Sequence, residues 1–444
     1  MLSNNSKNSL HLFLSLFVSF LFLNIVCFSC SGDLKPVLDA MVPNHSFEKM
    51  ETQIRVLGNN LPKKAKFFLL GDKGIIVKLS FVRWVSEKEV EISIPKDAPR
   101  GQFDLQLQLD SGENILLGSA FEILPSALII YAINVGQGDA TLLISPEGKT
   151  MLIDAGKADK VSAIRVLLKD LGISKIDHIL ATHYDSDHVG GFAPLFKGVD
   201  GQFDTDDDIV PRVAIWDYGG WSKSSSYAQA RQHYANLHRV LDGQSNDSFP
   251  SIDLGGGVFV DVMTTNGVVF NKDTSRTSVS CGRDTNCRSI GTLIRYGKFR
   301  MWTAGDLTGG GNGSPNVEAK LTPNLSLVDV YHAHHHGSKT GSSEAFLKKI
   351  NPQVVVISAG QNNSYCHPSS VILERLLKLS GLSIFLTSAG ISNPDKCGGT
   401  TQKYLSPIGK RAVIDAGDIR ISAERDHFSI SLTGRTDSYK WQTR

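Results

Sequence analysis

The chain has no large excess of charge of either sign, few prolines, few cysteines and few long apolar runs. Lys plus Arg number 46 against 44 Asp plus Glu in 444 residues, a formal net charge of +2. That excludes a strong basic field for sequence-independent DNA binding, so any nucleic-acid contact must be local. There are 16 prolines against 41 glycines, which excludes a collagen-like or proline-rich chain and points to many tight turns. Past residue 30 no apolar run is long enough to span a bilayer, which excludes a polytopic membrane protein. With 41% hydrophobic and 20% charged residues, the rest reads as ordinary folded domains. At roughly 100–200 residues per domain, two or three are expected.

Of six cysteines, Cys27 and Cys30 lie in the N-terminal segment. Cys281, Cys287, Cys366 and Cys397 remain and allow three pairings, between which sequence does not choose. Cys281 and Cys287 are near enough to close a short loop; free thiols are the alternative. Lys7 is the one charge before an apolar stretch over 10–28, followed by Ser29-Cys30-Ser31-Gly32. This reads as a signal peptide or lipoprotein signal over 1–30. Cys30 resembles the lipidated cysteine of bacterial lipoproteins; plain secretion and an uncleaved anchor are the other readings. All three put the body outside the cytoplasm, at the bacterial cell surface, in the periplasm or secreted, with a lipid anchor as the expected membrane attachment.

Residues 31–125 alternate short β-rich runs (52–56, 66–70, 90–94, 103–109) with turn signals such as Gly58-Asn59-Asn60 and Asp110-Ser111-Gly112. That spacing predicts a β-sandwich. The order VLGNNLP, VEISIPKDAPRGQFDLQL and SAFEIL resembles an IPT/TIG immunoglobulin-like domain. The resemblance implies a spacer or a module that contacts carbohydrate or protein.

From 126 to 444 the pattern changes. Apolar runs at 128–135, 141–144, 151–153, 178–181 and 213–216 are separated by helical patterns such as 161–168. The second half repeats the style, with strands at 327–331, 354–358 and 383–386 and helices near 343–350 and 370–379. This alternation predicts a layered α/β domain. Runs 291–296 and 299–303 predict a hairpin across Gly297-Lys298, and 428–432 predicts another at the sandwich edge.

Candidate chemistry gathers at the ends of these runs. Thr182-His183-Tyr184-Asp185-Ser186-Asp187-His188 runs into Gly190-Gly191, which allows a close turn. His183, Asp185, Asp187 and His188 carry good donors for divalent ions, a solvated acidic turn being the alternative. Asp306 ends the hairpin, where a carboxylate could bridge two cations. His332, His334, His335 and His336 follow another strand, and His367 precedes a helix.

NVGQGDATLL (134–143), MLIDAG (151–156), THYDSDHVGG (182–191), WTAGDL (302–307), HHGSKTGSSEAFL (335–347) and SYCHPSSVILERL (364–376) together resemble the metallo-β-lactamase superfamily, on its ComEC-like branch. The resemblance spans about 127–380. It implies an αββα sandwich with a dinuclear site for two divalent ions, zinc or manganese, on one edge. His183 and Asp185 are expected on one metal, Asp187 and His188 on the other, Asp306 between them, and one of His335 or His336 completing the second. Asn286 falls where many members place a third histidine. Asp139 and Asp154 read as orienters of ligand histidines or as turn residues.

The resemblance implies hydrolysis by a hydroxide shared between the metals, with Asp187, His336 and His367 as candidate catalytic groups. His336 or His367 would protonate the leaving oxygen; His367 could equally be a ligand or a phosphate contact. The expected substrate is a small phosphodiester or nucleic-acid-like ester, with Lys339 as a candidate phosphate contact. Thioester, lactone or lactam hydrolysis, or an inactive surface binding lipoprotein, are the alternatives. Asp204 to Asp208 read as a solvated loop or a Ca²⁺ site. Trp216, Tyr218, Trp221 and Tyr227 read as core or as stacking groups for a base or sugar.

Overall fold

In the front region, alternate side chains turn inward. A computed structural model describes residues 35–48, 50–124, 126–220, 224–244 and 250–444, the side chain of Lys396 excepted. The export signal read over 1–30 and Trp221 lie outside these residues. Strands Val37–Val42, Thr52–Asn59, Glu89–Ile94 and Ser80–Ser86 pair antiparallel in that order. His45–Phe47, Asn114–Leu124, Gly101–Gln108, Lys66–Gly71 and Ile76–Lys78 form a second sheet. Phe103, Leu105 and Leu107 of Gly101–Gln108 are buried while Gln102 and Asp104 are exposed. Phe67, Phe103 and Phe121 fill the core between the sheets. Each such side chain contributes about 1.5–3 kcal/mol on burial.

From residue 127 on, the chain is mixed α/β and sheet-rich. One nine-stranded sheet runs His238–Val240, Val210–Asp217, Lys175–Leu180, Thr150–Ile153, Thr141–Ile144, Leu128–Ala132, Ile419–Ala423, His427–Leu432, Ser438–Gln442. The other is ten-stranded, with Val258–Thr265, Gly291–Tyr296, Phe299–Thr303, Val330–His332, Val354–Ile357 and Ser383–Leu386 as neighbours in its middle. Period-two alternation splits that second sheet between two cores. Met301, Val330, Val354 and Phe385 join a cluster with Leu142, Ile153 and Ile179 of the first sheet. Trp302, Tyr331, Val355 and Ile384 face helices Val317–Leu321, Glu344–Ile350 and Ser370–Leu377. Helix Val161–Asp170 adds Ile164 and Leu168 to the first cluster. Phe47 and Leu124 of the front sheets join it too.

Two expectations need adjusting, and the open choice of cysteine pairing is resolved. The strand read at 327–331 begins only at Val330, because Leu327 is half-exposed and the Asp329 carboxylate accepts from Arg300 N and Arg444 N. The C-terminal hairpin is three strands, and its first, Ile419–Ala423, pairs antiparallel with Leu128–Ala132, extending the sheet. The four late cysteines pair as Cys281–Cys287 and Cys366–Cys397. Among the described residues no helix is long and apolar enough to cross a membrane.

Candidate metal centre

Parallel pairing brings the candidate residues to one edge. Thr150–Ile153 and Lys175–Leu180 run parallel, so Asp154 and His183 follow them at the same end. Phe299–Thr303, Val330–His332 and Val354–Ile357 are likewise parallel, ending toward Asp306, the histidine turn and Ser358. The two ends meet at Gly305, whose φ is +48° and where a Cβ would lie 2.3 Å from Thr182 Oγ1. Only glycine allows this approach without strain. His335 N then donates to Gly305 O at 3.0 Å.

Asp306 stands between two groups of donors. Its Oδ1 lies 3.1 Å from His188 Nε2 and 3.5 Å from His336 Nε2, and Asp187 Oδ2 is 3.5 Å from the same His336 nitrogen. Its Oδ2 lies 3.8 Å from His183 Nε2 and 3.5 Å from His335 Nε2, with Asp185 Oδ2 3.8 Å from His183 Nε2. Both His335 and His336 therefore reach the cluster, where the sequence left a choice of one. Both have positive φ, 53° and 54°, an uncommon state for non-glycine residues that aims the two rings inward. His183, His188, His336 and Asp306 are buried; Asp185, Asp187 and His335 form a half-exposed rim.

The far side of each ring is also held. Asp154 Oδ2 accepts from His188 Nδ1 at 2.7 Å, and its carboxylate takes Thr182 N and Oγ1 at 2.8 and 2.6 Å. His336 Nδ1 donates to Ser358 O at 2.9 Å, with Asp139 Oδ1 at 3.4 Å. His335 Nδ1 meets Thr340 Oγ1 at 3.0 Å, and Asp185 Oδ1 accepts from Thr285 Oγ1 at 2.8 Å. The carboxylate and carbonyl acceptors place a proton on Nδ1 of His188 and His336 and turn their Nε2 atoms inward.

The cluster is short of positive charge. Burial by itself would lower His188 and His336, but Asp306 with Asp154, and Asp306 with Asp139, push them well above the usual imidazole range. Burial would raise Asp306, yet His335, His188 and His336 pull it well below the carboxylate range. Burial likewise opposes the lowering of Asp187 by the His336 hydrogen bond and the His188 charge. Asp139 is held at about 2 by His336 and His332 against its burial. His183 moves down through burial and the charge of His188.

His183 Nε2, Asp306 Oδ1 and Asp139 Oδ1 are buried without a hydrogen-bond partner among the described residues. Each such atom costs about 1–3 kcal/mol if nothing polar meets it. Asp139, His188, Asp306 and His336 each offer a ligand atom within 4.8 Å of the others. Carboxylate oxygens and imidazole lone pairs are donors for divalent ions, so these residues fit a cation.

Other expected residues fall around this cluster. Asn286 Nδ2 is 3.4 Å from His335 Nε2. The His367 ring packs on His336, His335 and Tyr365, with its Nδ1 buried, and burial with the charges of His336 and His335 lowers it to about 3. Lys339 and His367 line a cavity of about 290 Å³. Asp207 and Asp208 hydrogen-bond to their own loop at Val199 N and Thr205. Trp216 Nε1 donates to His178 Nδ1 and Tyr227 is buried with its hydroxyl on Asp217, so both are structural; Tyr218 lines a cleft. His332 turns to Ser358 Oγ at 2.8 Å. His334 turns away to Trp302 Nε1 and Glu318 Oε1, each at 2.7 Å. Glu318, fully buried, also accepts from Ser342 N and Ser343 N, bracing the histidine turn. No local pattern around Glu318 signals that role.

Comparison with known proteins adds the lineage. Residues 133–200 match the metallo-β-lactamase superfamily. "Recombination protein 2" of Haemophilus influenzae is 25% identical over 71% of this chain and 31% of its own length. "Competence protein ComA" of Neisseria gonorrhoeae is 25% identical over 57% of this chain and 30% of its own. "ComE operon protein 3" of Bacillus subtilis is 24% identical over 65% and 35%. The chain thus spans about a third of the length of the curated relatives it matches. With the six strings read from the sequence, residues 133–200 are those of a metallo-β-lactamase superfamily match, and the chain is similar to part of each of these ComEC-type relatives.

Proposed function

We propose that this chain is an exported metal-dependent hydrolase of phosphodiester bonds. In this reading residues 1–30 are a signal or lipoprotein signal, 31–125 an IPT/TIG-like module, and 126–444 an αββα catalytic domain. The observation that carries it is the division of donors by Asp306, with Oδ1 toward His188 and His336 and Oδ2 toward His183 and His335. Two divalent cations, zinc or manganese, would be held on its two sides, one by His183, Asp185 and His335, the other by Asp187, His188 and His336. When bound, they supply Lewis acidity and lower the pKa of water toward neutrality.

The chain's own residues do the rest. Asp154 and Ser358 O hold His188 and His336 as Nδ1–H tautomers with Nε2 free for a cation. His336 is therefore assigned as a ligand, and because burial and its histidine neighbours keep His367 unprotonated near neutral pH, the expected proton-donor role passes to solvent. Half-exposed Asp185, Asp187 and His335 leave the centre open to substrate on one side. The paired disulfides support an oxidising compartment. The names of the relatives, recombination and competence, favour an ester of nucleic-acid type, and the net charge of +2 favours short substrates over a long polyanion.

The test is turnover of an aryl phosphodiester with added Mn²⁺ or Zn²⁺ by the wild type and by Asp187→Ala. A loss of about 100-fold is expected in the variant. Equal, negligible turnover in both rejects the reading.

A further inference from the structure

Next to Asp185 the surface opens into a cleft of about 750 Å³, a size suited to one nucleotide-like group. Its lining includes Tyr218, Asp242, Arg283, Thr285 and Arg288. Thr285 joins the cleft to the candidate centre, because its Oγ1 donates to Asp185 Oδ1 at 2.8 Å. Tyr218 joins it a second time, its ring 4.2 Å from that of Tyr184, which sits between His183 and Asp185. Among the described lining residues the two guanidinium groups stand with one carboxylate, Asp242, whose Oδ1 accepts from Gln244 N.

The two arginines differ in how they are held. Arg288 is half-buried and donates to Asn266 Oδ1 and to Gly282 O, so it works as a brace. Arg283 is exposed and has no hydrogen bond or ion pair that fixes it among the described residues. It rides on a loop closed by Cys281–Cys287, which are six residues apart. Asp284 tightens the same loop, accepting from Cys287 N at 3.1 Å. A guanidinium on so constrained a backbone loses less freedom on binding than one on an open loop. Its planar fork matches two oxygens of a phosphate.

We propose that Arg283, presented by the Cys281–Cys287 loop and braced by Arg288, binds a second phosphate group of the substrate beside the metal centre. This rests on the phosphodiesterase reading only for which ester is cut. It makes the preferred substrate a phosphodiester that carries another phosphate on the nucleoside filling the cleft.

The test compares two probes: the nitrophenyl ester of thymidine 5′-phosphate, and the same ester carrying an added 3′-phosphate. Calorimetric binding is measured in chelator, where no hydrolysis occurs, and kinetics with Mn²⁺. The wild type should bind the doubly phosphorylated probe about tenfold more tightly, the size of one charge-assisted hydrogen bond. Arg283→Ala should abolish that preference, with the loss in KM rather than kcat, and Arg283→Lys should restore part of it. Equal binding of both probes by the wild type, or a preference that survives Arg283→Ala, overturns the proposal. A wild type that prefers the second phosphate in binding yet hydrolyses neither probe upholds the clamp and rejects the hydrolase.

Discussion

Asp154 accepts the Nδ1 proton of His188 at 2.7 Å and two further hydrogen bonds from Thr182, so an asparagine in its place would turn an amide N–H toward a donor. Its φ of 58° is one that asparagine also tolerates, so the backbone need not move. Asp154→Asn is therefore expected to keep the fold, by circular dichroism, and to weaken Zn²⁺ or Mn²⁺ binding about 10–100-fold, measured by titration calorimetry. Unchanged affinity would remove Asp154 from the centre. At this scale the sequence was legible where short spacing does the work. His183, Asp185, Asp187 and His188 lie within one turn of chain and arrive together. In the histidine run, where four histidines in five positions look alike, only the family resemblance narrowed the choice, to His335 or His336, and both reach Asp306. Only the left-handed turn at His335 and His336 separates them from His332 and His334, which face Ser358 and Glu318. Glu318 was invisible because its partners are supplied by other elements.

Strand Val210–Asp217 ends on a fully buried carboxylate. Asp217 accepts from Gly219 N at 2.8 Å, Tyr227 Oη at 2.9 Å and Arg231 at 3.2 Å, with His238 Nε2 at 3.0 Å. Arg231 also reaches Tyr184 Oη, tying this cluster to the loop of His183 and Asp185. Burial would raise the Asp217 pKa, but the His238 hydrogen bond and charge, Gly219 N–H and Arg231 outweigh it and hold it low. A lowered folded-state value adds stability that is present above the unfolded value of about 4 and is lost as pH falls through the folded one. Asp217→Asn should cost about 3 kcal/mol at pH 7 and flatten the acid limb of a urea-melt series, since asparagine has no proton to gain there. A variant that keeps the wild-type acid limb would place that pH dependence elsewhere. In the front region strands such as Gly101–Gln108 were legible from alternation, because burial on one face imposes period two, whereas Leu128–Ala132, Val354–Ile357 and Ser383–Leu386 were legible as continuous apolar runs, being buried on both faces. Leu327 misled the reading, being apolar yet half-exposed in the loop before Val330.

Over the whole molecule, pairing between distant segments is what sequence conceals, and the disulfides show why it matters. Ile419–Ala423 completes the sheet beside Leu128–Ala132, a pairing with no local signal. Cys281–Cys287 closes the loop that lines the 750 Å³ cleft, while Cys366–Cys397 closes chain that lines the 290 Å³ cavity with Lys339, Tyr365 and His367. One staple thus bounds each of two openings that share walls with the candidate centre, through Thr285 in one and His367 in the other. Their separations of 6 and 31 residues imply about 2 and about 4 kcal/mol of unfolded-state restriction. Cys366→Ser with Cys397→Ser should therefore melt at a lower temperature than Cys281→Ser with Cys287→Ser by calorimetry. The order reverses only if the buried packing of Cys281 and Cys287, which sit in the core around Trp302 and Phe346, outweighs loop entropy. That outcome would make the short staple part of the core, and the rigidity it lends Arg283 a by-product of packing.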